Sequence, residues 1–129
     1  MRLLLDTHIW LWSLREPERI GERTQRELRN PENELWLSPI STWEALILHE
    51  KGKVRLDGNL DKWIVDATAP FRTAPLTHEI VAVASRLPLP QRDPADRFLA
   101  ATAQVLHLTL VTADVNLLGL GEIATFGNH

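Results

Sequence analysis

Five acidic residues stand out in this 129-residue chain. Asp6 closes the run Leu3-Leu4-Leu5, Asp114 follows Val111-Thr112-Ala113, Asp93 and Asp96 straddle Pro94 and Ala95, and Glu44 lies inside an otherwise apolar stretch. Acids this far apart in sequence share chemistry only if folding gathers them. Two carboxylates about 4 Å apart repel by roughly 4 kcal/mol at an effective dielectric of about 20, so a gathered set needs protons or a cation. Cysteine is absent and the histidines show no paired ligand motif. The donors are therefore oxygens, which select a hard ion, Mg²⁺ or Mn²⁺. Centres of that kind hold phosphates and activate water for in-line attack on phosphorus.

Each acid also has a structural use. Aspartate at a helix start satisfies free amides and complements the dipole, which would account for Asp6, Asp93, Asp96 and Asp114 one by one. Glu44 is harder to explain that way. At about 100° per residue it falls among Ile40, Trp43, Ile47 and Leu48, which read as the inward stripe of a helix. A carboxylate there costs several kcal/mol unless it is paired or bound to metal. Lys51 and Lys53 are too far along the helix to pair with it, which leaves a distant arginine or an ion. Thr7, Ser41 and Thr112 are hydroxyls beside the acids that suit orienting hydrogen bonds, or ordinary turn and helix-start chemistry. Arg92 and Arg97 flank the group and would hold phosphates or pair with Asp93 and Asp96. The Lys51, Lys53 and Arg55 run reads as a solvated helix end or a nucleic-acid contact.

The elements that must position these residues follow from the pattern. Three leucines ending on an acid predict a short strand buried on both faces, as in parallel sheets covered by helices. Further strands are expected at 34–37 and 108–111, with edge strands at 72–76 (or a bare connection) and 123–126. Helices are expected at 7–14, 21–29, 39–51, 59–69, 77–87, 94–106 and from Asp114 to Leu118. Ser38-Pro39 and Asp93-Pro94 are cap-plus-proline starts, and Gly52 is a stop. Trp10 and Trp12 read as core, or as a helix shared with a partner. In the helix starting after Thr77, the inward residues are expected to be Ile80, Val81, Val83 and Ala84. Strands alternating with helices predict a three-layer α/β/α sandwich around a mainly parallel sheet, with acids at the strands' carboxyl ends opening onto one crevice.

The length fits one domain, residues 1–129. No apolar run approaches the roughly 18 residues needed to span a membrane, and no secretory leader is evident, so a cytoplasmic location is expected. The net charge of −3 opposes nucleic-acid binding by bulk electrostatics. Four acids gathered on a cation would nonetheless leave the remaining surface slightly positive.

The stretches LLLDTHIWLW, SPISTWEALILHEKGKV, DPADRFLAATA and LVTAD, in this order and spanning nearly the whole chain, resemble PIN-domain ribonucleases, and more narrowly the VapC toxins of bacterial toxin–antitoxin operons. The resemblance implies a metal-dependent endoribonuclease using Mg²⁺ or Mn²⁺, held inactive by a VapB-type antitoxin and forming a homodimer. Matched by motif, its acids fall on Asp6, Glu44, Asp96 and Asp114, with Asp93 extra. Asp6 and Asp96 are expected to bind metal directly, Glu44 and Asp114 directly or through water. Cleavage would leave 5′-phosphate and 3′-hydroxyl ends. A receiver-like domain is disfavoured because the middle strand ends in Leu37-Ser38 and no lysine follows Lys62. A haloacid-dehalogenase-type phosphatase is disfavoured because Asp6-Thr7-His8 lacks its second aspartate. The remaining rival is an inactive PIN-like module that only binds protein or RNA; it would be expected to have lost one of the acids, and none is missing.

Overall fold

The computed structural model describes residues 1–89 and 93–129. Its centre is β1 (Arg2–Leu5), whose three leucines are fully buried. Alternate side chains leave a strand on opposite faces, so Leu4 enters one core while Leu3 and Leu5 enter the other. The neighbours repeat this division. In β2 (Glu34–Leu37) Trp36 faces the first core and Leu35 and Leu37 the second; in β4 (Thr109–Thr112) Leu110 and Val111 divide likewise. Helices cover both faces, giving the expected three layers.

The described residues form one five-stranded sheet in the order β3-β2-β1-β4-β5, with β3 at Arg72–Thr73, β5 at Ala124–Gly127 and every pairing parallel. Leu4 lies opposite Trp36 on one side and Leu110 on the other. The chain therefore builds outward from β1 in one direction, then returns to its other side. The crevice beyond the carboxyl ends of β1 and β4 is the point of reversal, where open α/β sheets bind ligands.

One core is closed by α5 (His78–Arg86), α6 (Pro94–Leu106) and α7 (Val115–Leu118), the other by α1 (Thr7–Arg15), α3 (Pro39–Glu50) and α4 (Leu60–Thr68). Trp10 is fully buried in the second core, and its indole N–H donates to the Ala67 carbonyl at 3.1 Å, tying α1 to α4. The helix α2 (Glu22–Arg29) is largely solvated, with Thr24 buried. Helix starts follow the sequence: Ser38 accepts from the Ile40 amide, Asn59 from Lys62, Thr77 from Ile80 and Asp93 from Ala95. Gly52, at φ +73°, follows the end of α3. A one-turn 3₁₀ helix at Pro17–Arg19 was not expected.

Two faces depart from the sequence reading. The inward line of α3 is Ser41 and Ala45, flanked by Leu48 and Ile40, so Trp43 points outward and is 50% exposed. The apolar count misplaced the stripe because small residues form its centre. On α5, Val81 is exposed while Ile80 and Ala84 are buried. Among the described residues, no helix is long and apolar enough to cross a membrane.

Candidate active site

Asp6 follows β1 directly and is only 5% exposed. Its backbone occupies the N-cap of α1, yet its carboxylate makes no cap hydrogen bond. Oδ2 instead accepts a 2.6 Å hydrogen bond from the Thr112 hydroxyl, at the end of the adjacent β4. Thr112 Oγ1 accepts in turn from the Asp114 amide at 3.0 Å, joining the ends of the two strands. The capping explanation thus fails for Asp6. It holds for Asp114, whose Oδ1 accepts from the Asn116 amide at 2.8 Å, and for Asp93, whose Oδ1 accepts from Ala95 at 2.9 Å. A carboxylate capping through one oxygen keeps lone pairs on the other.

Glu44 enters from α3 on the flank of its inward line, half-buried and facing the same crevice. Beside it, the Thr7 hydroxyl donates to Ser41 Oγ at 2.9 Å, in a fully buried contact that fixes the start of α1 against α3. Asp96 enters from the first turn of α6.

The electrostatics show that these acids share one space. Burial first, and then the charges of Asp93, Asp6, Asp114 and Glu44, together raise the Asp96 carboxyl to about 8. Glu44 is raised by burial, with Asp93 and Asp6 adding to the shift while the Thr7 hydroxyl and His8 oppose it. Asp6 is raised chiefly by burial, against the Thr112 hydrogen bond, His8 and the Thr7 amide, with Asp114 adding a smaller upward push. None of the five acids forms an ion pair with a described residue, so Glu44 has no arginine partner among them. A set of neighbouring carboxyls without ion-pair partners among the described residues is suited to a hard divalent ion. Among the described residues no three His, Asp or Glu side chains already stand in the geometry to hold one. The acids surround the crevice as a loose ring drawn from the ends of β1 and β4, from α3 and from the start of α6.

Arg97 has a different task from the one its position suggested. Its Nη1 donates to the carbonyls of Ala84 (2.8 Å) and Leu87 (3.0 Å), and its Nη2 to that of Leu89. Ala84 lies in the last turn of α5 and Leu87 and Leu89 in the chain just after it, so the guanidinium clamps α6 to a helix C-terminus and neither nitrogen is directed at phosphate or carboxylate. Arg92 lies outside the described residues. The residue the sequence reading passed over is His8, exposed in the first turn of α1, whose charge reaches both Asp6 and Glu44. Its position two residues after Asp6 was the available signal.

The PIN domain family model matches residues 3–122. Over 116 residues the chain is 32% identical to Ribonuclease VapC22 of Mycobacterium tuberculosis, covering 89% of this chain and 88% of that protein. Its fold resembles that in the VapBC2 complex of Rickettsia felis, bound to a DNA fragment from their promoter, with a TM-score of 0.75, 15% identity and complete coverage of both chains. It also resembles FitAcB of Neisseria gonorrhoeae, with a TM-score of 0.69, 23% identity and coverage of 97% and 96%. With the acids at the switch point and a family model spanning nearly its whole length, the chain belongs to the PIN-domain family, in its VapC branch.

Proposed function

We propose that this protein is an endoribonuclease, the toxin of a VapBC-type pair, which hydrolyses RNA phosphodiesters at the acid ring. The observation that carries the reading is that Asp93, Asp6, Asp114 and Glu44 all push the Asp96 carboxyl upward, and Asp93 and Asp6 do the same to Glu44, at the crevice where the strand order reverses. Asp6 and Asp96 would hold Mg²⁺ or Mn²⁺, aided by Glu44 and Asp114. The ion would supply charge neutralisation at the scissile phosphate and make a water acidic enough to attack. Thr112 fixes the Asp6 carboxylate, and the Thr7–Ser41 pair fixes the ground beneath Glu44. Glu44 or Asp114 would accept the proton leaving the attacking water. In-line displacement then leaves 5′-phosphate and 3′-hydroxyl ends.

The relatives support a VapB-type antitoxin as partner, since the matched folds come from toxin–antitoxin complexes. Exposed Trp43 borders an apolar groove of about 410 Å³ between α3, α4 and β3, which suits self-association or antitoxin docking. The test is cleavage of total RNA by the purified protein with Mg²⁺ or Mn²⁺, compared with Asp6→Asn and Glu44→Gln. Activity is expected to fall by two or more orders of magnitude (about 10²-fold) in each variant. Equal cleavage by all three would refute the acids as the source of the activity, and no cleavage by any of them would favour the inactive binding module.

A further inference from the structure

Beside the acid ring, α1 forms one wall of a second groove of about 480 Å³. His8, two residues beyond Asp6, lines it and so joins the groove to the acids. One helical turn further, Trp12 lies 6.0 Å from His8 between ring centroids, and the Arg19 guanidinium stands 4.3 Å from the Trp12 centroid. Arg15, Lys53 and Arg55 complete a cationic rim over an apolar floor of Leu11, Leu48 and Val54, with Glu16 the one carboxylate among the described lining residues and Asp57 just outside it.

The existing ion pairs are weak competitors for a ligand. Arg55 meets Asp57 at 3.4 Å and is 85% exposed, Arg15 meets Asp57 at 4.0 Å, and Arg19 meets Glu16 at 3.6 Å. Exposed pairs of this type contribute little and exchange readily. Stacking faces set among cations, over an apolar floor, match the chemistry of single-stranded nucleic acid, whose bases stack while its phosphates are neutralised. The groove also answers an electrostatic problem: a polyanion approaching a ring of carboxylates is repelled, and cations are needed close by.

Building on the RNA-cleaving reading, we propose that this groove holds the single-stranded nucleotides adjoining the scissile bond. Trp12 and His8 supply the stacking faces, and Arg15, Lys53 and Arg55 the phosphate contacts. A protein segment is the competing occupant, but the cationic excess favours the phosphodiester chain.

The test is fluorescence anisotropy of a labelled single-stranded RNA at several salt concentrations, with chelator present so that the RNA is not cut. The combined Lys53→Ala and Arg55→Ala variant is expected to bind roughly tenfold more weakly, with the salt slope reduced by roughly 1.4, the value for two lost phosphate contacts on a single strand. Trp12→Leu should weaken binding by roughly 5- to 100-fold with little change in slope. Thermal melts check that each variant is folded. The double variant does not depend on the packing of Trp12, so it keeps the proposal testable if Trp12→Leu unfolds. Wild-type affinity and slope in a folded double variant would overturn the proposal. So would retained RNA affinity with loss of the VapB-type antitoxin, which would make the groove a protein-docking surface. Wild type that binds through the groove but cuts no RNA would refute the nuclease reading and leave the groove standing. Wild type that cuts RNA while the double variant binds equally well would refute the groove alone.

Discussion

The Thr112 hydroxyl donates to Asp6 Oδ2 across 2.6 Å while accepting from the Asp114 amide at 3.0 Å, so one oxygen ties together two acids that follow neighbouring strands. Thr112→Val keeps the shape and β-branching but removes the donor and the acceptor. It is expected to cost about 1–3 kcal/mol of stability and to lower divalent-ion affinity by roughly 10–100-fold. Thermal melts and ion titration would check this; unchanged ion affinity would show that Thr112 does not orient Asp6.

The raised carboxyls make metal-free stability depend on pH. Between the ordinary aspartate value of 3.8 and about 8, Asp96 stays protonated in the folded chain and ionises in the unfolded one. The folded state then holds more protons, so stability falls as pH rises through that window and levels off above it. Asp6 and Glu44, also raised, add in the same direction. Melting in chelator should show the decline, and Asp96→Asn should flatten it. Mn²⁺ should stabilise more near pH 8 than at acid pH, because proton and ion compete for the same oxygens. A metal-free melting temperature that rises with pH over this range would contradict the shared acid ring.

Arg97 should behave as a structural clamp. Arg97→Met retains the apolar stem but leaves the carbonyls of Ala84, Leu87 and Leu89 without these donors. The expected loss is about 2–4 kcal/mol in denaturant unfolding, with RNA affinity unchanged under conditions where the variant is folded. Weaker RNA binding at full stability would reinstate it as a phosphate contact.

Trp43→Ala tests the outward face of α3. With half of its surface exposed, its removal should change monomer stability by no more than about 0.5 kcal/mol, while weakening self-association or antitoxin capture, as buried aromatic anchors do. Unchanged mass on a sizing column together with unchanged antitoxin binding would remove Trp43 from both interfaces.

The layering was legible because it rests on local signals that tertiary contacts did not override. Three leucines before Asp6 marked a strand buried on both faces, and Ser38-Pro39 and Asp93-Pro94 marked helix starts. The side of a helix that turns inward was less legible. Counting apolar residues favoured Trp43 and Val81, whereas close packing of α3 on its neighbours selected Ser41 and Ala45. Glu44 consequently flanks the inward line, with its carboxylate toward the crevice. Arg97 was misread for a different reason: the carbonyls it clamps belong to another helix, and nothing in the local sequence announces them. For His8 the sequence held half the signal: its nearness to Asp6 was visible, but a lone histidine has no pattern of its own and only the fold brings it near Glu44.

The central strand carries a temporal consequence. β1 is made first, but its neighbour β4 follows far along the chain, and the Thr112–Asp6 hydrogen bond spans 106 positions. At about 5–20 residues per second, a ribosome takes roughly 5 to 20 seconds to cover that stretch. For that interval the nascent polypeptide has its first aspartate but neither the threonine that steers it nor Asp114. A site built this way cannot assemble until almost all of its message has been read.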